Sequence, residues 1–372
     1  MTVTGPLLPL IAEEYGVTVG EAGIIVTAFA VPYGACQIIF GPLGDRIGKV
    51  RLIAMALAAA TVFVLGSGLA SSLEGLAVMR FCCGFAMAAT VPMAMAYIAD
   101  EVPYAIRQPV MGRYINGLVL GQIAGGVLGG IAAEYFDWRS IFFVFGLFSA
   151  VIAGALWFRA GRERPLSATP PQRIGAVLQL YAALFRARHS RDLIIAGTLE
   201  GMLIFGVLAY FGAYLRHTHD LSYVTIGLVL GMYGVGGLIY AAAVFRLVRL
   251  LGERRMIVAG TMLLGCCYIA LILVPHWIWC LPTFLLAGFG FYLFHNTMQT
   301  RATELSASAR GTAVSLWVFM LFLGQGAGVI LFGAVIDRFG YAPAFVSAGV
   351  GIVATGLWFQ GRPSGEAHRN AD

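Results

Sequence analysis

Eleven hydrophobic stretches, each close to the length that crosses a lipid bilayer, constrain the fold of this chain more than any other feature. Windows of about 19 residues place them at 21–43, 51–71, 75–99, 109–133, 140–159, 193–215, 222–245, 256–275, 277–299, 311–334 and 341–360. A bilayer core needs about 20 apolar residues, and a backbone in lipid must satisfy its own hydrogen bonds. The sequence therefore predicts an all-α polytopic membrane protein.

The composition agrees with this prediction. Apolar residues make up 59% of the chain, charged residues only 11%, and the mean hydropathy is +0.84, whereas about 25% of the residues in soluble proteins are charged. Residues 1–11 (MTVTGPLLPLI) are also apolar but reach only half the length of a span, and they lack the basic start and cleavage site of a signal peptide. We expect them to be the tail of a twelfth helix, the first in the chain, which is truncated here.

The positions of Lys and Arg predict the orientation in the membrane, because these residues favour cytoplasmic loops. One set of alternate loops holds only Arg139, Arg216 and Arg338. The other set holds twenty: Arg46, Lys49, Arg51, Arg107, Arg113, Arg159, Arg162, Arg164, Arg173, Arg186, Arg188, Arg191, Arg246, Arg249, Arg254, Arg255, Arg301, Arg310, Arg362 and Arg369. The loop after residue 43, the central linker and the C-terminus are therefore predicted to be cytoplasmic. The net charge of +6 is spread over separate loops, which argues against a nucleic-acid partner.

An internal repeat divides the chain into two similar halves. Residues from 107 onward resemble those from 310 onward at an offset of 203, with LGQIAG at 120–125 matching LGQGAG at 323–328. Repetition in the same sense over an even number of helices predicts two parallel bundles. We expect an N-terminal bundle at 1–159, a linker at 160–191, a C-terminal bundle at 192–362 and a tail at 363–372.

The linker contains a sequence typical of an amphipathic helix on the membrane surface. Its apolar residues recur at helical spacing and are Ile174, Val177, Leu178, Tyr181, Leu184 and Phe185.

Two six-helix halves, a basic linker and the sequence GPLGDRIGKVR at 41–51 resemble the major facilitator superfamily over almost the whole chain. MRFCCGFAMAA from Met79 is similar to the fourth-helix motif of that family, and GLVLGQIAGG at 117–126 is similar to its glycine-rich fifth-helix motif. Within the superfamily, the chain resembles bacterial twelve-helix drug:proton antiporters and sugar-efflux permeases. The resemblance implies a monomeric transporter of small molecules in the bacterial cytoplasmic (inner) membrane, without a cofactor and driven by the proton gradient.

The residues of the 41–51 segment are predicted to form a gate. The glycines Gly41, Gly44 and Gly48 allow a tight turn and close helix approach, and an acid in a positively charged loop needs a specific reason. The family pattern implies that Asp45 faces the start of the eleventh helix, near Gly311. We expect Asp45, with Arg46 and Arg51, to latch the cytoplasmic gate in the outward-facing state. For Lys49 and Arg51, a role in setting topology alone is an equal alternative.

Charge almost disappears inside the spans. Glu200 is the one acid well within a span and Arg80 the one cation, and a charge at that depth costs about 2.5 to 3.5 kcal/mol on insertion scales. We expect Glu200 to carry a proton during transport and Arg80 to set the potential of the cavity. Snorkelling of Glu200 to the interface, or a structural ion pair, is the alternative.

Polar residues elsewhere in the spans are candidates for the substrate cavity, with interhelical hydrogen bonding as the alternative. They are Tyr33, Gln37, Asn116, Gln122, Tyr210, Tyr233, His295, Asn296, Gln299, Trp317 and Gln325. His295 could also carry a proton, although we expect a neutral imidazole to be satisfied by its neighbour Asn296. Glycines of the repeated motif are predicted to form the surfaces along which the helices slide: Gly117, Gly121, Gly125, Gly324 and Gly328.

No enzyme class fits this sequence. The six cysteines all fall in spans without zinc or disulfide spacing, and the single lysine, Lys49, is not in a phosphate-binding loop. Three hypotheses remain: a proton-coupled exporter of small amphiphilic compounds, a facilitator or symporter of a polar metabolite such as a sugar, and a receptor-like protein of the same fold that does not transport. The apolar, aromatic character of the predicted cavity favours the first.

The predicted topology places the segment around Asp45 and the linker after Arg159 on the same side of the membrane. Single cysteines in the two segments should therefore react with a membrane-impermeant thiol reagent only when the cytoplasmic side is accessible. Labelling of the two segments from opposite sides would contradict the topology.

Overall fold

The computed structural model describes residues 4–160, 174–306 and 310–360, and every regular element within these ranges is helical. In chain order the α-helices are α1 (Thr4–Tyr15), α2 (Val19–Ala22), α3 (Ile24–Ile47), α4 (Lys49–Gly68), α5 (Leu73–Met87), α6 (Thr90–Glu101), α7 (Tyr104–Tyr135), α8 (Ser140–Ala160), α9 (Ile174–Arg186), α10 (Arg188–Glu200), α11 (Gly206–Leu208), α12 (Phe211–His219), α13 (Tyr223–Leu273), α14 (Cys280–Ala302), α15 (Arg310–Phe339) and α16 (Tyr341–Gln360). A π-helical turn, Gly201–Phe205, joins α10 to α11, and a 3₁₀ turn, Trp277–Trp279, precedes α14.

The helices confirm the predicted spans. Ten helical stretches of the described chain are long and apolar enough to cross a membrane. The longest, α13, has 51 residues and contains Gly252 at φ 70° and ψ 164°, a conformation that breaks helical geometry and that glycine adopts easily. It therefore holds two of the predicted spans, 222–245 and 256–275, and all eleven lie on helices.

Large apolar side chains cover the outer surface of the helices. On α4 and α8, which pack against each other, Val62, Leu147 and Phe158 are 64%, 67% and 84% exposed. Apolar surface on this scale is unfavourable in water and marks contact with another apolar phase. Lipid contact explains these faces.

The segment 41–51 is more helical than predicted. Helix α3 continues to Ile47 and α4 begins at Lys49, so the turn consists of Gly48 alone, at φ 99°. The predicted tight turn is therefore confined to one residue, and the charged positions on either side of it are helical. A helix can extend beyond the hydrophobic core with charged residues on it, and only the residue that needs a positive φ must leave helical geometry.

The central linker helix is observed as α9, while residues 161–173 and the side chains of Ile174, Val177 and Leu178 lie outside the described part. Leu184 is buried and packs with Ile194 and Leu316, and Tyr181 lies beside them. The described end of α9 is therefore attached to the C-terminal helices.

Glycine contacts join the two halves along the middle of their interface and at one end of the molecule, which we call the closed end. This closed end carries the turns at residues 16–18, 136–139, 220–222 and 340, and the arginine-rich end is opposite. A Cβ added at Gly130 would lie 2.3 Å from the carbonyl oxygen of Tyr223, and one at Gly333 would lie 2.9 Å from the Cα of Gly20. Toward the arginine-rich end of α7, a Cβ at Gly112, Gly117 or Gly121 would meet no atom within 4 Å. Close contact between α7 and α13 therefore extends from Gly130 at the closed end as far as Ile123, whose side chain lies 2.4 Å from a Cβ added at Gly234.

These contacts correct the predicted sliding surfaces. Gly117 and Gly121 are not close-packed in this structure, although Gly125 is buried. A Cβ at Gly324 or Gly328 would lie 2.0 Å from the carbonyl oxygen of Thr198 or 2.2 Å from that of Met202, so both glycines pack within the C-terminal half. A glycine-rich sequence predicts a close approach, but it does not indicate which helix approaches.

Alanine at Gly324 should destabilise the protein by about 1 to 3 kcal/mol, because its methyl group would overlap the backbone of α10. Alanine at Gly121, where there is open space, should be neutral or slightly stabilising, because alanine favours the helix. Thermal unfolding of the two purified variants in detergent checks this difference. Equal melting temperatures would contradict the packing described here.

Candidate functional site

A buried carboxylate and a histidine form a pair between α10 and α14. The Nδ1 atom of His295 lies 2.5 Å from Oε1 of Glu200, and the side chain of Glu200 is completely buried. A carboxylate removed from water requires a partner that can donate a hydrogen bond or carry positive charge. His295 is the partner that the structure provides.

The helix that carries Glu200 changes its geometry immediately after this residue. The π-helical turn Gly201–Phe205 follows Glu200, and a Cβ at Gly201 would lie only 1.9 Å from the carbonyl oxygen of Leu321 on α15. π-helical turns within α-helices are frequent at functional sites. The glycine lets α15 approach, and this contact holds the irregular turn beside the buried acid.

Aromatic rings surround the pair. The ring of Phe291 stacks on His295 at a centroid distance of 5.0 Å, and the indole of Trp317 lies 5.8 Å from the same imidazole. Oε2 of Glu200 and Nε1 of Trp317 are both buried and have no hydrogen-bond partner. The site therefore has one satisfied carboxylate oxygen and one that remains available to a proton or another donor.

The sequence did not predict this pairing. His295 was expected to be satisfied by its neighbour Asn296 and was not predicted to pair with Glu200, which is 95 residues away in the sequence. The structure shows His295 on Glu200, so that expectation was wrong. A pair on different spans is formed only when α10 and α14 pack together.

Arg80 lies in the first half and is buried on α5. Its guanidinium carbon is 4.5 Å from the centroid of the Phe29 ring, and its Nε atom has no hydrogen-bond partner. A cation over an aromatic face gains about 0.5 to 2 kcal/mol, which offsets part of the burial cost. The predicted buried position of Arg80 agrees with the structure, while its effect on a cavity stays a prediction.

The other predicted cavity residues differ widely in burial. Tyr210, Trp317 and Gln325 are buried; Tyr33, Gln37, Tyr233 and Asn296 are half-buried; and Asn116, Gln122 and Gln299 are exposed. Tyr210 donates a hydrogen bond of 2.7 Å to the carbonyl oxygen of Val329 and is completely buried. Tyr210 is therefore a packing residue in this structure and does not line an open cavity.

Tyr33 lies where the two halves meet. Its ring stacks on Phe29 of the same helix and contacts Phe322 of α15 edge to face, with centroids 5.6 and 5.0 Å away. The aromatic contact places Tyr33 between α3 and α15, at the interface of the two halves.

The predicted gate residues are only partly described. The side chain of Asp45 and the surroundings of Gly41 lie outside the described part, so the predicted contact between Asp45 and the start of the eleventh helix stays a prediction. Arg46 and Arg51 are exposed, and Lys49 forms an ion pair with Asp100 at the end of α6. Gly44 is buried, and a Cβ there would lie 2.2 Å from the sulfur of Met93.

The corresponding position in the second half carries the opposite charges. Gly252 and Glu253 follow Gly48 and Lys49 by 204 residues, and Glu253 pairs with Arg301 at 3.0 Å near the end of α14. In each half, the residue after the turn glycine therefore forms an ion pair near the end of another helix: Lys49 with Asp100 of α6, and Glu253 with Arg301 of α14. The positions of the basic and the acidic residue are exchanged between the halves. Among the described residues no cluster of His, Cys, Asp and Glu could hold a metal ion.

Family and sequence comparisons agree on the type of protein. The model of the Major Facilitator Superfamily matches residues 1–320. An uncharacterized transporter of Buchnera aphidicola is 31% identical over 38% of this chain and 35% of its own length, so the chain spans about a third of that relative. An uncharacterized transporter of Bacillus subtilis, YceJ, is 26% identical over 88% of this chain and 83% of its own length. The fatty acid resistance protein FarB of Neisseria gonorrhoeae is 27% identical over 48% of this chain and 36% of its own.

The fold is also found among solved structures. The crystal structure of a variant of the nucleoside transporter NupG superimposes with a TM-score of 0.82 at 12% identity, covering 97% of this chain and 95% of that one. At this identity the comparison shows the fold alone. It supports the arrangement of helices described above.

Replacing His295 by leucine should destabilise the protein by about 3 to 5 kcal/mol, because Glu200 would remain buried without a partner. Combining that change with Glu200→Leu should restore much of the loss, because the unpaired charge is then removed. Thermal unfolding of the two single variants and the double variant measures the coupling. Purely additive effects would show that the two side chains are not energetically paired.

Proposed function

We propose that this chain, which belongs to the Major Facilitator Superfamily of membrane transporters, exports small amphiphilic compounds in exchange for protons. The observation that carries the proposal is the buried Glu200–His295 pair inside the spans. A carboxylate and an imidazole are the two side chains best suited to take up and release a proton within a membrane.

The pair supports proton coupling through its chemistry. When Glu200 is ionised, His295 stabilises the charge by a hydrogen bond or, if protonated, by an ion pair. When Glu200 takes up a proton, this interaction weakens and α10 and α14 lose one of their polar contacts. The protonation state can in this way favour one arrangement of the helices over another.

The arrangement of the two halves supports alternating access. The halves are in close glycine contact at the closed end, whereas Gly112, Gly117 and Gly121 of α7 have open space beside them toward the arginine-rich end. By the distribution of Lys and Arg, the arginine-rich end faces the cytoplasm. We therefore propose that the molecule is a monomer in the cytoplasmic membrane, in a state open to the cytoplasm, from which an exporter loads its substrate.

The amphiphilic nature of the substrate rests on the lack of charge in the spans. Glu200 and Arg80 are the two charged residues well within them; Arg80 lies over the ring of Phe29, and His295, the partner of Glu200, stacks on Phe291. A polar solute such as a sugar needs several hydrogen-bonding groups in its site. The resemblance to FarB, which is named a fatty acid resistance protein, points in the same direction.

Replacing Glu200 by glutamine should abolish transport driven by a pH gradient and leave counterflow of substrate intact, because the glutamine amide cannot carry the proton. Proteoliposomes with an imposed gradient provide the measurement, and Glu304→Gln, at an exposed position, serves as the control. Unchanged dependence on the gradient would rule out Glu200 as the coupling residue.

The compounds for the assay come from a drug-susceptibility panel, which compares a pump-deleted host with and without this protein. Equal susceptibility of the two strains to every compound would count against the export of toxic amphiphiles.

A further inference from the structure

Two carboxylates at the closed end each bind the backbone of the opposite half. Glu134, near the end of α7, accepts a hydrogen bond of 2.6 Å from the backbone N–H of Tyr223, the first residue of α13. Asp337, near the end of α15, accepts one of 3.0 Å from the N–H of Gly20 and one of 2.7 Å from the hydroxyl of Thr18. One contact therefore runs from the first half to the second, and the other runs from the second half to the first.

The two contacts are equivalent under the internal repeat. Glu134 and Asp337 are 203 residues apart, and so are the two residues whose N–H groups they bind, Gly20 and Tyr223. The offset of 203 is the one that relates the two halves of the sequence. The closed end thus contains the same interaction twice, once on each side of the interface.

A glycine one helical turn before each carboxylate completes the arrangement. Gly130 precedes Glu134 and Gly333 precedes Asp337 by four residues, within the sequences GIAAE and GAVID. A Cβ at Gly130 would lie 2.3 Å from the carbonyl oxygen of Tyr223, and one at Gly333 would lie 3.1 Å from that of Gly20. The absence of a side chain lets the partner backbone come close enough for the carboxylate to reach it.

The bound groups explain why a carboxylate is favourable here. The first N–H groups of a helix have no partner within the helix and carry partial positive charge, so an acidic side chain stabilises them. Both carboxylates are exposed at the edge of the interface. Their hydrogen bonds can therefore be exchanged for water without leaving a buried charge.

We propose that Glu134 and Asp337 are a pair of equivalent latches that hold the closed end shut, and that both release their backbone partners when that end opens. The inference rests on alternating access as proposed above. It assigns the closed state of this end to two specific carboxylates, one in each half, and not to apolar packing alone.

A carboxylate at the same end provides a matched control. Glu14 accepts hydrogen bonds from Arg139 and from the indole of Trp138, and all three residues belong to the first half. Removing Glu14 breaks hydrogen bonds at the closed end that lie within the first half. Its variant therefore separates loss of the latch from a general loss of charge.

The test measures distances across both ends by pulsed spin-label spectroscopy on the full chain in lipid nanodiscs, in a background without native cysteines. Labels at Ser71 and Thr218, both exposed, report on the closed end. Labels at Glu101 and Arg255, also exposed, report on the arginine-rich end. The variants are Glu134→Ala, Asp337→Ala, their combination and Glu14→Ala.

Each single alanine variant should raise the ratio of open to closed molecules at the labelled closed end about fivefold, the usual effect of losing one helix cap. The double variant should raise it roughly 25-fold, because the two sites are separate and their effects multiply. The distance at the arginine-rich end should shorten in parallel. A distribution in the double variant that matches that of Glu14→Ala would overturn the proposal.

Two further measurements keep the result interpretable. If an alanine variant does not fold, Glu134→Gln and Asp337→Asn retain the shape and should shift the distribution in the same direction by a smaller factor; no shift would count against the latches. The distances are recorded without substrate, so this test does not depend on knowing what the protein transports. If the alanine variants shift the distances but the protein transports none of the tested compounds, the inference about the latches stands and the proposed function is overturned.

Discussion

Lipid cannot form hydrogen bonds with the backbone, and the architecture of this chain follows from that constraint. Each segment that crosses the bilayer becomes a helix, because only a helix satisfies its own N–H and carbonyl groups. The remaining polar interactions must then be made between helices or at their ends. In the described structure, the charged side chains that pair inside the spans or across the interface between the halves are the ones to which we assign function.

The two halves meet through small residues and helix ends. Gly130 and Gly333 let backbones approach at the closed end, while Tyr33 and Phe322 join α3 and α15 through an aromatic contact farther along the interface. Within the C-terminal half, Gly324 and Gly328 bring α15 against the segment that contains Glu200. Glycine thus serves both the interface between the halves and the packing around Glu200, and the helix on the other side of each contact determines which of the two it serves.

The two charged residues inside the spans are stabilised in different ways. Glu200 has a hydrogen-bonding partner, His295, on another helix, whereas Arg80 lies over the ring of Phe29 with its Nε unpaired. A carboxylate whose partner can itself bind a proton responds to protonation, while an arginine keeps its charge. This difference makes Glu200 the better candidate for the coupling residue, with Arg80 as a constant source of positive potential.

The sequence by itself determined the hydrophobic spans, their helical character and the repeat, because hydrophobic length and charge distribution are local properties. It also placed Glu200 and Arg80 inside spans. Only the tertiary structure showed that His295 is the partner of Glu200, that Gly324 packs within its own half, and that the segment at 41–51 turns at a single glycine. These features depend on which helix faces which, and a sequence that is apolar on most sides of every helix does not specify its neighbours.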